Sequence, residues 1–246
     1  MATRVFLDTP LSSGLQLELP EAAFRHLVLV LRMQAGEALI VFDGRGGEYD
    51  AKLDTVAKRS ATLSIGDFHE VDRESPLQIT LVQGISKGDR MDWTLQKAVE
   101  MGVAAIAPII TERCNVSLDR EREAKKRDHW RGVLVSACEQ SGRTRVPLLH
   151  PLQRYADWLA SAPQGPRYLL DPIAAQALAQ APIPAAPISL VIGPEGGLSA
   201  SEIAAGVQAG GVAVSLGPRV LRTETAGVVA LAVLQARAGD LAGTVN

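Results

Sequence analysis

Cysteine is scarce in this chain of 246 residues: there are two, Cys114 and Cys138. They lie too far apart for a C-x-x-C motif, and chains of this size do not depend on a disulfide framework, so a reducing, cytoplasmic setting is expected. Histidine is also sparse. His26, His69, His129 and His150 show no metal-ligand spacing, and no residue is assigned to a metal. No apolar run of signal-peptide length opens MATRVFLDTP. The most apolar segment, AGVVALAVL, is cut off by Gln235 and Arg237 well short of a membrane span, so no membrane partner is expected. An excess of either charge is missing as well: a net charge of -2 excludes a globally basic nucleic-acid binder and leaves only a local patch for that work.

What is present is 47% hydrophobic residues, enough for one large core or two modest ones. The charge is uneven along the chain. Residues 75–160 hold 13 Lys/Arg against 10 Asp/Glu, whereas residues 1–74 hold 8 against 12, so positive charge gathers in the middle.

Up to about Val71 the pattern is short strands and turns: RVFLD, LQLEL, EALIVFD, GEYDAKLDTV and SATLSI. Asp43-Gly44-Arg45-Gly46-Gly47 predicts a hairpin, because glycine accepts the positive φ such turns require. One helix, EAAFRHLVLVLR, interrupts the strands, and a small closed β-barrel-like domain over 1–72 is expected. DRESP (72–76) marks a boundary. Beyond it, over 75–246, strands and helices alternate. QITLVQ, VAAIAPII and segments near Tyr168, Leu190 and Val214 read as strands; DRMDWTLQKAVEM and roughly 120–140 read as helices. This is an α/β layer with a largely parallel sheet, whose ligand sites lie at the carboxyl ends of the strands.

LVIGPEGGLSASEIA (190–204) runs from a strand through a glycine turn into a helix. Ser199 and Glu202 form an S-x-x-E capping box, which starts the helix at Ser199. A tight strand-to-helix turn would account for the glycines. As a ligand site, however, the loop does not suit a phosphate: Pro194 has no N–H to offer, and Glu195 would repel the anion. A cationic ligand suits it better. VAVSLGPRVLRTETAGVVALAVLQ repeats the layout, with a Gly217-Pro218 turn and Arg222-Thr223-Glu224-Thr225 at a helix start. Thr223 or Thr225 reads as a cap and Glu224 as a favourable charge there, but Arg222 has the wrong sign for a helix N-terminus and is better explained by an anion arriving from elsewhere. The helix that follows is apolar on nearly every face, so it is core or a subunit interface.

GISKG (84–88) matches the G-x-S-x-G nucleophile elbow. An α/β-hydrolase needs a late histidine, yet His150 is the last here and no HGGG-type loop occurs. The helix DREREAKKRDHW interleaves acids and bases as a solvated, ion-paired surface would. Its end, Glu139-Gln140-Ser141-Gly142-Arg143, suits either RNA contact or a subunit interface.

The order of motifs adds a family resemblance. RVFLD, His26 with VLR (30–32) and GE (36–37), QGISKGDRMDWTLQKAVEMGV, TERC, ACEQSGRTRVP, LVIGPEGGLSASEI and LGPRVLRTETA together resemble the bacterial 16S rRNA uridine-1498 N3-methyltransferase family of the SPOUT superfamily. The resemblance spans nearly the whole chain. It implies a C-terminal SPOUT α/β domain with a parallel sheet and a deep trefoil knot, otherwise a rare topology, and an N-terminal PUA-like RNA-binding β-barrel. It also implies a homodimer, S-adenosylmethionine as cofactor, and as substrate 16S rRNA within the small ribosomal subunit.

Carried onto this chain, the resemblance places Leu170, Asp171, Ile192, Gly193, Pro194, Glu195, Gly196, Gly197, Leu216, Gly217, Pro218, Leu221, Arg222 and Thr225 around the cofactor. That donor carries a sulfonium and an ammonium but no phosphate, which fits Glu195 in the glycine turn. Uracil N3 must lose its proton before it attacks the methyl group. Positioning and charge stabilisation then suffice, with no metal or enzyme nucleophile. Arg222 is the candidate for charge on the uracil oxygens, and Glu224 or Glu195 for proton acceptance. The base would be turned out of its RNA surroundings. Arg4, Arg25, Arg32, Lys87, Arg90 and Arg143 are candidate RNA contacts, although the acid excess over 1–74 requires a localised face. Two other readings remain: a SPOUT methyltransferase acting on tRNA or 23S rRNA, and a non-catalytic ribosome-assembly factor.

Overall fold

The computed structural model describes residues 2–114 and 120–243; Met1 and residues 244–246, the ends of the two expected domains, lie outside them. The chain divides into two compact units: residues 1–74 with 138–146, and residues 75–137 with 147–246. Segment 138–146, read from the sequence as part of the C-terminal domain, thus belongs to the first unit.

The first unit is built on β1 (Arg4–Phe6), β2 (Gln16–Glu18), β3 (Ala38–Phe42), β4 (Glu48–Val56) and β5 (Ala61–His69), paired in the order β1-β3-β4-β5-β2. The pairing path ends at β1 and β2, so among the described residues hydrogen bonds do not close the expected ring. Residues 43–47 join β3 to β4 as the hairpin reading requires, with Gly44, Gly46 and Gly47 all at positive φ. Inward residues alternate with outward ones along β4 and β5, and Leu27, Val41, Leu53 and Leu63 are wholly buried in one core. The expected helix after Pro20 is a single α-turn, α1 (Glu21–Phe24), continued by a π-helical segment over Arg25–Val30.

The second unit carries a parallel sheet in the order β12-β10-β11-β6-β7-β8, with β9 also on β7. Its strands are β6 (Ile79–Gly84), β7 (Ala105–Ile110), β8 (Leu148–Leu149), β9 (Gln153–Arg154), β10 (Arg167–Leu170), β11 (Ile188–Ile192) and β12 (Val212–Val214). ISLVI of β11 is buried at every position and β6 at all but one, which is why these strands read as continuous apolar runs rather than alternating ones. The helices are α2 (Asp89–Glu100), α3 (Arg120–Ser141, whose end lies in the first unit), α4 (Tyr155–Ser161), α5 (Ala200–Gln208) and α6 (Thr223–Ala238). Among the described residues no helix is long and apolar enough to cross a membrane.

The strand order positions the site. β12, β10 and β11 are adjacent and parallel, with Leu170 opposite Val214 and Leu169 opposite Val191. Their carboxyl ends therefore deliver three loops, after residues 170, 192 and 214, to one edge of the sheet.

Candidate active site

The turn after β11 is held rigidly. Ser199 caps α5: its hydroxyl accepts from the Glu202 N–H at 3.1 Å, and the Glu202 carboxylate accepts from the Ser199 N–H at 2.8 Å, so the expected capping box is present. The Gly197 N–H closes on Pro194 O at 2.8 Å. Glycine is required where backbones meet. A Cβ on Gly193 would run into the Gly197–Leu198 backbone, and one on Gly84 would sit 2.6 Å from Pro194.

A cavity of about 940 Å³ opens beside this turn, within the usual range for small-molecule sites. Of the residues that the resemblance places around the cofactor, Leu170, Asp171, Ile192, Gly193, Pro194, Glu195, Gly196, Gly197, Leu216 and Leu221 line this cavity. Gly217, Pro218, Arg222 and Thr225, expected there too, are absent from its walls, and Arg219, Val220 and Thr223 stand in their place. The reason is local geometry. Gly217 bends the chain at φ +98°, and the residues after the bend rather than the bend itself face the cavity.

Thr223 is not the cap that its position suggested. Arg222 occupies the N-cap of α6 and makes no capping bond, and the Thr223 hydroxyl instead donates to Gly193 O at 2.6 Å while accepting from Gln83 Nε2 at 3.0 Å. Gln83 also donates to Gly84 O at 2.9 Å. This buried polar chain ties the ends of β6 and β11 to the start of α6. Gln83 stands last in the apolar run QITLVQ and first in QGISKGDRMDWTLQKAVEMGV, but neither stretch assigned it a role.

Glu195 turns toward α2. Its Oε1 accepts from the Lys87 backbone N–H at 2.9 Å and from Arg90 Nη1 at 3.0 Å. Partial burial pushes the Glu195 carboxyl up, but the Lys87 N–H, its own backbone N–H and Arg90 outweigh that and hold its pKa below the ordinary value. The Arg90 Nε also lies 3.9 Å from the Glu224 carboxylate, whose other oxygen is buried without a hydrogen-bond partner. Arg90 and Lys87, expected at RNA, are exposed, but Arg90 is engaged by these two acids.

Two other expected RNA contacts face inward. Arg4 pairs with Glu48 at 11% side-chain exposure and lies 5.2 Å from the Phe42 ring centre, and Arg143 pairs with Glu74 at 6% exposure. Gly142 O accepts from Arg4 at 3.2 Å and from Arg73 at 2.8 Å, and Glu139 accepts from the Phe6 N–H at 3.0 Å. The polar helix end is therefore a strut of the first unit, because burial forces each charge to find a partner. Arg25 and Arg32 remain exposed. The hydrolase reading fails on Ser86, which is 1% exposed with a hydroxyl that meets no hydrogen-bond partner.

A parallel α/β unit with a glycine-lined cavity at its strand ends, accompanied by a β-rich unit, is the build of an RNA methyltransferase: residues 73–235 match the RNA methyltransferase domain model and residues 19–66 the RNA methyltransferase PUA domain model. The chain belongs to the ribosomal RNA small subunit methyltransferase E family. It is 30% identical to the member from Buchnera aphidicola subsp. Schizaphis graminum over 97% of both chains, and 32% identical to that from Bacillus subtilis over 85% of both. Among solved structures, the Neisseria gonorrhoeae ribosomal RNA small subunit methyltransferase E bound to S-adenosyl methionine superposes with a TM-score of 0.91 at 41% identity, covering 98% of this chain and 99% of that one. A Legionella pneumophila methyltransferase in complex with S-adenosylmethionine gives 0.95 at 42% identity with the same coverage.

Proposed function

We propose that this chain methylates N3 of uridine 1498 in 16S rRNA of the small ribosomal subunit, using S-adenosylmethionine. The observation that carries the reading is the cavity: three strand-end loops of a family member meet around a glycine turn in which Pro194 has no N–H and Glu195 brings a carboxylate.

The residues present fit the cofactor. Ile192, Leu198, Val214 and Leu221 supply apolar walls for its flat and aliphatic parts, and Asp171 and Glu195 place negative charge near a cation. When bound, S-adenosylmethionine supplies an electrophilic methyl group on a sulfonium. The chain's own part is to hold the reactants and move one proton. Glu224 is the better acceptor for the uracil N3 proton, since one of its oxygens has no hydrogen-bond partner, whereas Glu195 Oε1 is occupied by the Lys87 N–H and Arg90, which make that carboxylate a weaker base. Arg222, exposed at the start of α6, is assigned to the charge that develops on the uracil oxygens. Glu224 and Arg222 flank Thr223, which lines the cavity.

The same reading makes the protein a knotted homodimer acting in the cytoplasm. Its support is the sheet order, in which β10 lies between β11 and β12, and the partly exposed apolar residues Val228, Val229 and Val233 on α6. A labelled-methyl assay tests the substrate. Unmodified small subunits should accept label at one uridine, identified by nucleoside mass spectrometry as the N3-methyl form. Label on tRNA or 23S rRNA alone would move the substrate, and no transfer to any RNA would favour an assembly factor.

A further inference from the structure

The segment between α1 and β3 holds the least ordinary backbone of the N-terminal unit. Arg25–Val30 winds as a π-helix, with the Leu31 N–H closing on His26 O at 2.9 Å. Arg32 follows at φ +59°, the one non-glycine residue at positive φ among the described residues. Both features are disfavoured and persist where the surroundings impose them, often at functional positions.

What they impose here is specific. Leu27 and Met33 anchor the segment in the core, and the Met33 N–H returns to Leu27 O at 3.0 Å. Between the anchors, Leu29, Val30 and Leu31 stand 59%, 69% and 45% exposed. Single exposed aliphatics are ordinary, whereas three in succession held out by their own backbone form a contact surface. Arg25 and Arg32 bracket them, both exposed, and neither has an ion-pair partner among the described residues. Of the nearby acids, Glu37 is occupied by the Gln34 N–H at 2.6 Å and Glu21 is exposed in the first turn of α1.

We propose that this tip is an RNA wedge: Leu29, Val30 and Leu31 press against unstacked bases of the rRNA substrate while Arg25 and Arg32 hold the flanking phosphates. The inference rests on the rRNA methyltransferase reading. Two cations without acid partners on either side of an apolar tip match a polyanion whose bases are apolar on their faces. Residues 1–74 carry 12 acids against 8 bases, so phosphates are repelled from most of this stretch and admitted where bases stand unpaired. A reaction on uracil N3 also needs its base out of the stack, and an inserted aliphatic surface keeps such a gap open.

The test uses two full-length double variants: Leu29→Ser with Val30→Ser, and Arg25→Gln with Arg32→Asn, since asparagine tolerates the left-handed backbone. Both should keep the wild-type unfolding temperature, sedimentation behaviour and S-adenosylmethionine affinity. Both should lose about tenfold or more in affinity for labelled 16S rRNA. The arginine pair should also flatten the plot of log affinity against log salt by about 1.4, the value for two single-strand phosphate contacts, while the aliphatic pair leaves that slope unchanged. Wild-type RNA affinity in either folded variant overturns the wedge. So does a change in sedimentation, which would assign the tip to a second copy, or a loss seen with assembled subunits but not with naked 16S rRNA, which would assign it to a ribosomal protein. Wild-type protein that binds RNA without transferring methyl would defeat the enzymatic reading and leave the affinity comparison to judge the wedge.

Discussion

Arg90 on α2 donates to Glu195 in the glycine turn after β11, with Nη1 3.0 Å from Oε1, and so braces the cavity loop from outside. The pair is 45% and 31% exposed, which limits its worth to about 0–1 kcal/mol. Arg90→Gln should therefore move the unfolding temperature by less than about 4 °C, yet weaken S-adenosylmethionine binding up to about fivefold, the equivalent of about 1 kcal/mol. Calorimetric titration of Arg90→Gln, Glu195→Gln and the double variant should give a double-variant loss smaller than the sum of the singles. Additive losses would mean that the two residues act separately.

The lowered Glu195 pKa has a definite sign in a pH series. A depressed carboxylate contributes stability that is fully present above its unfolded value, about 4.3, and is lost as pH falls through the folded value. Wild-type and Glu195→Gln proteins should therefore differ in stability by a constant amount above about pH 5 and converge in stronger acid. Denaturant melts across pH 3 to 8 measure this. A difference that changes between pH 6 and 8 would contradict it.

Thr223 is the hinge of the buried polar chain from Gln83 to Gly193. Thr223→Val keeps the shape but leaves Gly193 O and Gln83 Nε2 short of a partner, which costs about 1–3 kcal/mol. Thr223→Ser should recover most of that loss, and cofactor affinity should follow the same order. Equal stability of the valine and serine variants would show that the hydroxyl carries no weight.

The two thiols should differ sharply. Burial pushes Cys138 up to about 12, so it is protonated and shielded, whereas Cys114 is half-buried. A thiol reagent at pH 8 should modify Cys114 in the native protein and reach Cys138 only on unfolding. Rapid modification of both would show that the end of α3 opens readily.

Much of the fold is legible because its signals are local. The buried strands read as apolar runs, the hairpin at 43–47 as glycine chemistry, and the start of α5 as a capping box. Of the two glycine-proline turns at strand ends, the one at 193–197 lies in the cavity wall, whereas the other contributes Leu216, Arg219, Val220 and Leu221 rather than Gly217 and Pro218. The remainder depends on tertiary context. Arg4 and Arg143 look like any surface arginine until Glu48 and Glu74 are seen to take them inward. Thr223 reads as a cap because its real partner, Gly193, is 30 residues away. The apolar periodicity of EAAFRHLVLVLR indicates a helix but cannot tell a π-turn from an α-turn, since that choice follows from how Leu27 and Met33 anchor.

The three loops after β10, β11 and β12 are proposed to form the methyl-donor pocket. Crystals soaked with S-adenosylmethionine test it most directly. The donor should lie against Gly193–Gly197, with Leu170 and Asp171 on one side and Leu216 and Leu221 on another. Donor density anywhere else on the protein, with this cavity empty, would contradict it.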